Sequence, residues 1–376
     1  MSSVKQVDRA TPGIFTQPSA QLQAVIEPDG ACAFSRAACR SRCYKLTARI
    51  SLFICLALVF SHAAFGGTQD WKRICEEVKN TSFPPKNRPG QGEAKPLEKC
   101  ASADLYFGFD RPADPVKARL CAYVELDQGD DLVFGGSSIL MMIYANGKGA
   151  ERNLDLAIKL ACTIEGAPAE VEGRVEHLAK LRQEKWKGDD FSLCDDITSG
   201  FMQGHCASLS ERFVEAKRKK RLSGLTSKWA EKDRKAFDVL SNTLEKFITS
   251  RTENEVDLSG TGRGAFMIEE ESALREAFLS AVEKFEHDEL PRFFSEQFAQ
   301  ADKELNTIYS KIQKTKDPSW GTVTADGIKQ TQRAWLKYRD ACVVFGQQKY
   351  PKTSADSWKT RLTRDRIKML NEFLEN

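Results

Sequence analysis

The chain has 376 residues, which is enough for two domains of ordinary size. Its 41% hydrophobic and 29% charged residues fit a globular protein and exclude a mainly disordered or membrane-embedded one. The net charge of +3 comes from the N-terminus, because acidic and basic residues nearly balance once residues 1–63 are set aside. We therefore expect no nucleic-acid partner, since the remainder has no overall field that would attract one.

Residues 1–63 predict a leader that includes a signal peptide at about residues 40–63. The apolar run Ile50–Phe60 follows several basic residues and precedes Ser61-His62-Ala63, whose small residues suit signal peptidase. The run is too short to span a membrane comfortably, so we expect cleavage and a periplasmic or secreted protein. An uncleaved anchor in the inner membrane is the alternative. Residues 1–39 do not fit a signal peptide and suggest a start codon assigned too far upstream.

The cysteines also favour export. Beyond the leader the chain carries Cys75, Cys100, Cys121, Cys162, Cys194, Cys206 and Cys342. In an oxidising compartment six of them can form three bridges, with one thiol left over. They include no C-x-x-C pair, so we expect no metal site, and nothing in the chain indicates a cofactor.

Residues 64–99 predict an irregular lead-in. The stretch Phe83–Gly92 is rich in proline and glycine and is expected to be a loop.

Residues 100–182 predict short helices, and two of them carry a pattern. Residues 138–149 read L-x-x-x-Y-x-x-G-x-G, and residues 153–161 begin with asparagine and place alanines four residues apart. This pattern resembles one Sel-type repeat, a short helix–turn–helix unit related to tetratricopeptides. A single repeat cannot bury its own face, so it must pack on its flanks at 102–124 and 169–182.

Residues 190–376 predict a helical domain. Apolar residues recur every three or four positions from Leu222 to Phe247, and again from Leu274 to Phe285. The polar segment Glu255–Gly264 separates these two patterns, and Leu290-Pro291 ends the second. Strand-type alternation is almost absent. The chain is therefore predicted to be all-α, with the repeat region followed by an antiparallel helical bundle.

Three motifs near the C-terminus carry a second resemblance. They are Ala301-Asp302-x-x-Leu305-Asn306-x-x-Tyr309, then Gln332-x-x-Trp335-x-x-Tyr338-Arg339-Asp340-x-Cys342, then Leu362-Thr363-x-x-Arg366. In this order and spacing they resemble the lysozyme inhibitor LprI family of secreted bacterial proteins. The resemblance implies a non-enzymatic envelope protein with a protein partner, and lysozyme is the candidate partner. The alternative is a periplasmic interaction or assembly module that acts through the Sel-type region.

The resemblance also bears on the cysteines. The pair Cys194 and Cys206, twelve residues apart ahead of the motifs, is similar to one in the family and is the preferred disulfide, closing a short helical hairpin. Cys121–Cys162 and Cys75–Cys100 are further pairings among the 15 that six cysteines allow. In the family the cysteine at the position of Cys342 commonly pairs with one on the last helix, but here Trp358 stands in that place, so Cys342 is expected to be the odd thiol.

The motif residues admit two interpretations. Trp335, Tyr338, Arg339 and Cys342 share one helix face and could form a recognition surface. We favour core packing, with Arg339 stacked on Trp335 or paired to an acid such as Asp302. Asp302, Asn306 and Tyr309 are expected to complete a buried polar network that Arg366 joins.

Other polar segments are interpreted as ordinary surface. The glycines of residues 260–264 lack the flanking strand of a phosphate site. The basic run Lys217–Arg221 is predicted to be a solvated helix face, and contact with an anionic envelope polymer is its alternative. Adjacent acids such as Asp195-Asp196 point in different directions, and histidines are scattered, so no enzyme is expected and no catalytic residue is named.

Overall fold

A computed structural model describes residues 70–376, apart from residues 110, 130, 131, 317 and 376. The predicted leader and signal peptide, residues 1–63, lie outside the described residues. The described part folds into helices and contains no strand. None of its helices combines the length and the apolar character that a membrane span requires.

The helices follow one another with short connections. They are α1 Asp70–Val78, α2 Gln91–Ala94, α3 Ser102–Phe107, α4 Pro115–Gln128, α5 Gly136–Asn146, α6 Leu154–Thr163, α7 Pro168–Gln183, α8 Gly200–Thr226, α9 Glu231–Asn254, α10 Arg263–Glu286, α11 Ser295–Lys314, α12 Ala325–Lys349 and α13 Ala355–Asn371. Two single turns of 3₁₀ helix, Pro85–Asn87 and Lys95–Leu97, lie between α1 and α3. The all-α prediction is confirmed.

A first hydrophobic core is built by α1 and α3–α7. Its centre is α5, in which every residue from Ser138 to Asn146 is buried. α5 ends because Gly147 takes a left-handed conformation, with φ of 68°, and α6 begins after Asn153, whose side chain accepts a hydrogen bond from Leu156 N. The predicted helix–turn–helix is therefore present, although its assignment as a Sel-type repeat stays a prediction.

This helix pair packs on its flanks as expected. α4 lies against α5, and α7 lies against α6. α1 also packs on α6 and α7, which the sequence did not indicate. Residues 70–78 were expected to be irregular, but they form an amphipathic helix because burial of Ile74 and Val78 in this core stabilises it.

The disulfides correct two predicted pairings. Cys75 is joined to Cys162 and Cys100 to Cys121, so the predicted Cys75–Cys100 and Cys121–Cys162 bridges are wrong. The reason is the unforeseen helix α1, whose packing on α6 brings Cys75 beside Cys162. Cys194 is joined to Cys206, linking the turn before α8 to the second turn of α8 rather than two arms of a hairpin.

A second hydrophobic core is built by α9–α13 with the last turns of α8. It gathers aromatic side chains from every one of these helices except α8, which contributes Leu222 and Leu225 at its edge. Trp229, just after α8, packs edge-to-face on Phe237. This core contains the motif helices α11, α12 and α13.

The second core contains both antiparallel and parallel pairs of neighbouring helices. α12 runs antiparallel to α9, because Thr331 lies beside Ser250 and Gln348 beside Lys232. α11 and α13 run parallel, because Ser295 contacts Asp356 and Phe298 contacts Lys359. The sequence predicted antiparallel pairs only. The parallel pair arises because α12 reverses the chain between α11 and α13.

The long helix α8 belongs to both cores. Near its start Met202 is buried in the first core, and Arg212 makes a 2.8 Å ion pair with Asp104. Near its end Arg221 pairs with Glu283 of α10 at 2.6 Å. The two cores are thus joined by one continuous helix and side-chain contacts along it.

Two helical glycines provide a matched test of the packing. A Cβ on Gly346 would overlap the indole of Trp358, whereas a Cβ on Gly224 would meet no atom within 4 Å. We expect Gly346→Ala to lower the free energy of unfolding by about 1–3 kcal/mol, the usual effect of overpacking. Gly224→Ala should leave it unchanged or raise it by up to about 1 kcal/mol, because alanine favours a helix. Urea unfolding measures both, and equal effects of the two changes would contradict this packing.

Candidate functional site

The motif residues separate into a buried set and a surface set. Leu305, Trp335, Tyr338, Cys342, Thr363 and Arg366 are buried. Asp302, Tyr309, Gln332 and Arg339 are half-buried, and Asn306 is exposed. Most of the motif therefore builds the second core, which favours the packing interpretation for that part.

The centre of the buried set is an ion pair between Arg366 and Glu255, whose side chains are both 0% exposed. The two guanidinium nitrogens Nη1 and Nη2 donate to the two carboxylate oxygens at 2.7 and 2.5 Å. Arg366 Nε also donates to Gln332 Oε1 at 2.9 Å. This bidentate geometry satisfies most of the donors of a guanidinium that is removed from water.

A second buried arginine extends this network. Arg251 donates to Glu255 at 3.0 Å, and it also pairs with Glu270 of α10 and with Glu372 just after α13. Burial alone would lower the pKa of Arg251, but the charges of Glu270 and Glu255 outweigh it and the pKa is raised. Arg251, Glu255 and Arg366, with Gln332, form what we call the core network; it connects α9, α12 and α13, and Arg251 extends it to α10.

The predicted partners of Arg366 lie elsewhere. Asn306 donates to Asp302 at 3.0 Å on the outer face of α11, so this pair is a surface contact and not part of a buried network. Tyr309 packs against the edge of the second core. The prediction was wrong because Asp302 and Asn306 fall outside the stripe of Ala301, Leu305 and Ile308 that α11 buries. The sequence also missed Glu255, whose only local signal is its place one helical turn after Arg251.

Arg339 stacks on Trp335, which is one of the two contacts predicted for it. Its guanidinium lies over the ring of Trp335 at 5.3 Å, and it pairs with Asp340 at 3.0 Å rather than with Asp302. Cys342 is the free cysteine among the described residues and is buried. Burial raises the pKa of its thiol to about 12, so it is not a reactive thiolate at neutral pH.

The other polar segments form local structure. Gly260 has a φ of 84° in the turn before α10, and Asp257 accepts hydrogen bonds from Ser259 N and Thr322 N, which fixes that loop. In the basic run Arg218 is buried and pairs with Glu211, whereas Lys217 and Lys220 are exposed. The prediction of a solvated face is therefore wrong for Arg218, because it faces α10 and donates to Ser272.

Several titratable groups lie near the first core. His177 Nδ1 is 2.9 Å from Asp196 Oδ2, and its ring packs edge-to-face on Phe191.

A close group of metal-ligand residue types is formed by Cys100, Cys121 and Glu125, but the cysteines are joined in a disulfide and Glu125 accepts a hydrogen bond from Ser102 N. The oxidised pair offers no thiolate to a metal ion.

Two surface depressions lie on single helix faces. One is on α11, between Lys303 and Lys314, and the other is on α9, between Asn242 and Glu253. Each is lined by residues of one helix only, so neither brings together groups from different elements as a catalytic cleft does.

Fold and site together define a disulfide-bonded, all-helical protein whose C-terminal motif builds a rigid scaffold. Within it, residues 286–370 match the family model described as Lysozyme inhibitor LprI. This segment runs from the end of α10 to the last turn of α13. It thus contains all three motifs, and the expected family resemblance is confirmed for this part of the chain. Such a domain implies a protein-binding role. Neither a curated protein nor a solved structure matches the chain.

The core network predicts a large loss of stability when one charge is removed. Glu255→Gln leaves Arg366 buried without its carboxylate and should lower the free energy of unfolding by about 3–5 kcal/mol. Replacing both partners, as Glu255→Leu with Arg366→Met, should cost less than Glu255→Gln alone. Asp340→Asn, at the exposed partner of Arg339, is the control and should cost less than about 1 kcal/mol. Denaturant unfolding tests this, and a double variant at least as unstable as Glu255→Gln would argue against it.

The His177–Asp196 contact predicts a pH dependence. The hydrogen bond to Asp196 raises the pKa of His177, against the opposing effect of burial, with Asp195 adding attraction and Lys180 repulsion. The folded pKa lies above the unfolded value of about 6.5, so the contact stabilises fully below that pH and its contribution is lost as pH rises through the folded pKa. His177→Gln and Asp196→Asn should therefore destabilise more at pH 5.5 than at pH 8.5. The same loss at both pH values would rule out this titration.

Proposed function

We propose that this chain is an exported, non-enzymatic protein that binds lysozyme stoichiometrically and inhibits it. The observation that carries the proposal is the match of residues 286–370 to the lysozyme inhibitor family. The motif residues of this segment mostly support the core, so inhibition would rest on surface contact rather than on chemistry performed by this chain.

The disulfides support export. Three disulfides in the described part are typical of an oxidising compartment, where lysozyme reaches the cell wall. With the signal peptide proposed at about residues 40–63, the exported protein would be periplasmic or secreted. We also propose the division into a lead-in (64–99), a Sel-type region (100–182) and an LprI-like domain (190–376). The second hydrophobic core supports a separate C-terminal domain, while the first core also includes α1 of the lead-in and Met202 of α8.

The alternative role as an assembly module receives less support. A Sel-type repeat presents its first helix to a partner, and here that helix is α5. From Ser138 to Asn146 every residue of α5 is buried among its neighbours, so it has no free face to offer. The burial of α5 therefore favours a role for the first core as a stable support for α8 over a role as a binding surface.

Titration of the purified, oxidised chain against several types of lysozyme tests the proposal. We expect loss of cell-wall lysis to saturate near one inhibitor per lysozyme at micromolar concentrations, because stable interfaces of ordinary size reach such affinities. The reduced and alkylated chain is the control, since it lacks the disulfides of the first core. Unchanged lysis by every lysozyme at a hundredfold excess of inhibitor would overturn the proposal.

A further inference from the structure

One corner of the second core exposes an aromatic side chain on a rigid backbone. Between α10 and α11 residues 290–294 have no regular secondary structure, and Phe294 is 77% exposed. Phe293 N donates to Ser357 Oγ, which in turn donates to Phe293 O, both at 3.0 Å. Phe294 N donates to Gln297 Oε1 at 2.9 Å. The backbone of the corner is thus hydrogen-bonded to α13 and to α11, so the position from which Phe294 projects is fixed before any partner binds.

Positive charge surrounds this corner without carboxylate partners. Arg364 lies over Phe293 at 4.6 Å, and Lys359 lies over Phe298 at 5.3 Å. Arg292 is exposed two residues before Phe294. Among the residues that the structure describes, none of these three cations lies within 4.0 Å of a carboxylate.

Other cations in the described part of this domain, such as Arg263 and Arg333, also form no ion pair, whereas Arg275 and Arg339 meet acids directly. What sets the three cations of the corner apart is their place on the elements that form it. Acids close to the corner in the chain are Glu289 before it, Glu296 in the first turn of α11, and Asp356, which accepts from Ser295 at 2.7 Å. Asp365 follows Arg364 and lies 3.9 Å from Lys368. Unpaired cations beside an exposed apolar ring remain available to a partner with carboxylates and an apolar wall.

The active-site cleft of a lysozyme offers such carboxylates and such an apolar wall. Glycoside hydrolases place two carboxylates on either side of the scissile bond, in a cleft that is shaped for sugar rings. The outer surface of a cationic lysozyme would repel this segment, because lysine and arginine outnumber aspartate and glutamate in residues 286–370. The acidic cleft is the part of such an enzyme that attracts it.

We propose that the corner formed by Arg292, Phe294, Lys359 and Arg364 enters the carboxylate-lined cleft of the inhibited enzyme. This inference rests on the proposed function and names the surface that performs it. Phe294 packs on the apolar wall where a sugar ring would lie, and the cations face the carboxylates. Substrate is then excluded from the cleft, so inhibition is competitive.

Inhibition assays with surface variants test this proposal, using a lysozyme that the unmodified chain inhibits. Phe294→Ser should raise the half-inhibitory concentration about tenfold or more, as expected for the anchor of an interface. The double variant Arg292→Glu with Arg364→Glu should raise it about a hundredfold, because two attractions become repulsions. The matched controls are Phe201→Ser and Lys217→Glu with Lys220→Glu, which change exposed residues of α8 and should stay within about twofold. Thermal unfolding of each variant checks that the fold is kept.

The outcomes separate the two proposals. If the unmodified chain inhibits and the corner variants inhibit equally well, this surface is wrong and the proposed function stands. If the unmodified chain inhibits no lysozyme, both are overturned. A competition assay adds an independent arm: a chitin oligosaccharide that fills the cleft should weaken binding of the chain in proportion to its occupancy. Binding that is indifferent to the oligosaccharide would place the contact outside the cleft and overturn the inference.

Discussion

The arrangement of the C-terminal helices depends on the burial of two arginines. Arg251 and Arg366 are removed from water inside a helical core, and a buried guanidinium is tolerated only if carboxylates meet it with good geometry. Glu255, the C-terminal capping residue of α9, pairs with both arginines. This requirement fixes the end of α9 against the middle of α13. Apolar contacts alone would let these helices slide by a turn more easily, because any hydrophobic stripe fits another approximately.

The same constraint positions the surface to which we assign binding. With Arg366 fixed, the first turns of α13 lie against the segment before α11, where Ser357 holds Phe293 from both its N–H and its carbonyl. Trp358 fills the space opposite Gly346 and packs edge-to-face on Phe285 of α10. In the resembled family a disulfide is expected near this place. Here an indole packed against a glycine occupies it, while Cys342 stays reduced and buried. The indole thus secures the first turn of α13, and the core network secures α13 two turns further on.

Sequence reasoning reached some of these features and missed others for physical reasons. Helices α9–α13 were predictable because their apolar residues repeat with helical spacing and depend only on local pattern. The partner of Arg366 was not predictable, because Glu255 lies in a polar stretch 111 residues earlier and only the folded chain brings the two residues together. For the same reason two of the disulfide pairings were wrong, since they depend on the packing of α1 against α6. Asp302 and Asn306 were placed inside because they belong to a motif, yet motif residues include surface ones. The exposed corner had a weak signal, the Phe293-Phe294 pair after Pro291, which composition alone does not separate from a core segment.

Hydrogen–deuterium exchange of the chain, free and bound to an inhibited lysozyme, tests the central claim most directly, because it locates the contact without altering any residue. The account predicts new protection of the backbone amides in residues 290–298 and in the first turns of α13, with the amides of α5 and α6 unchanged. Protection confined to the first core or to the outer face of α8, with residues 290–298 unaffected, would contradict it.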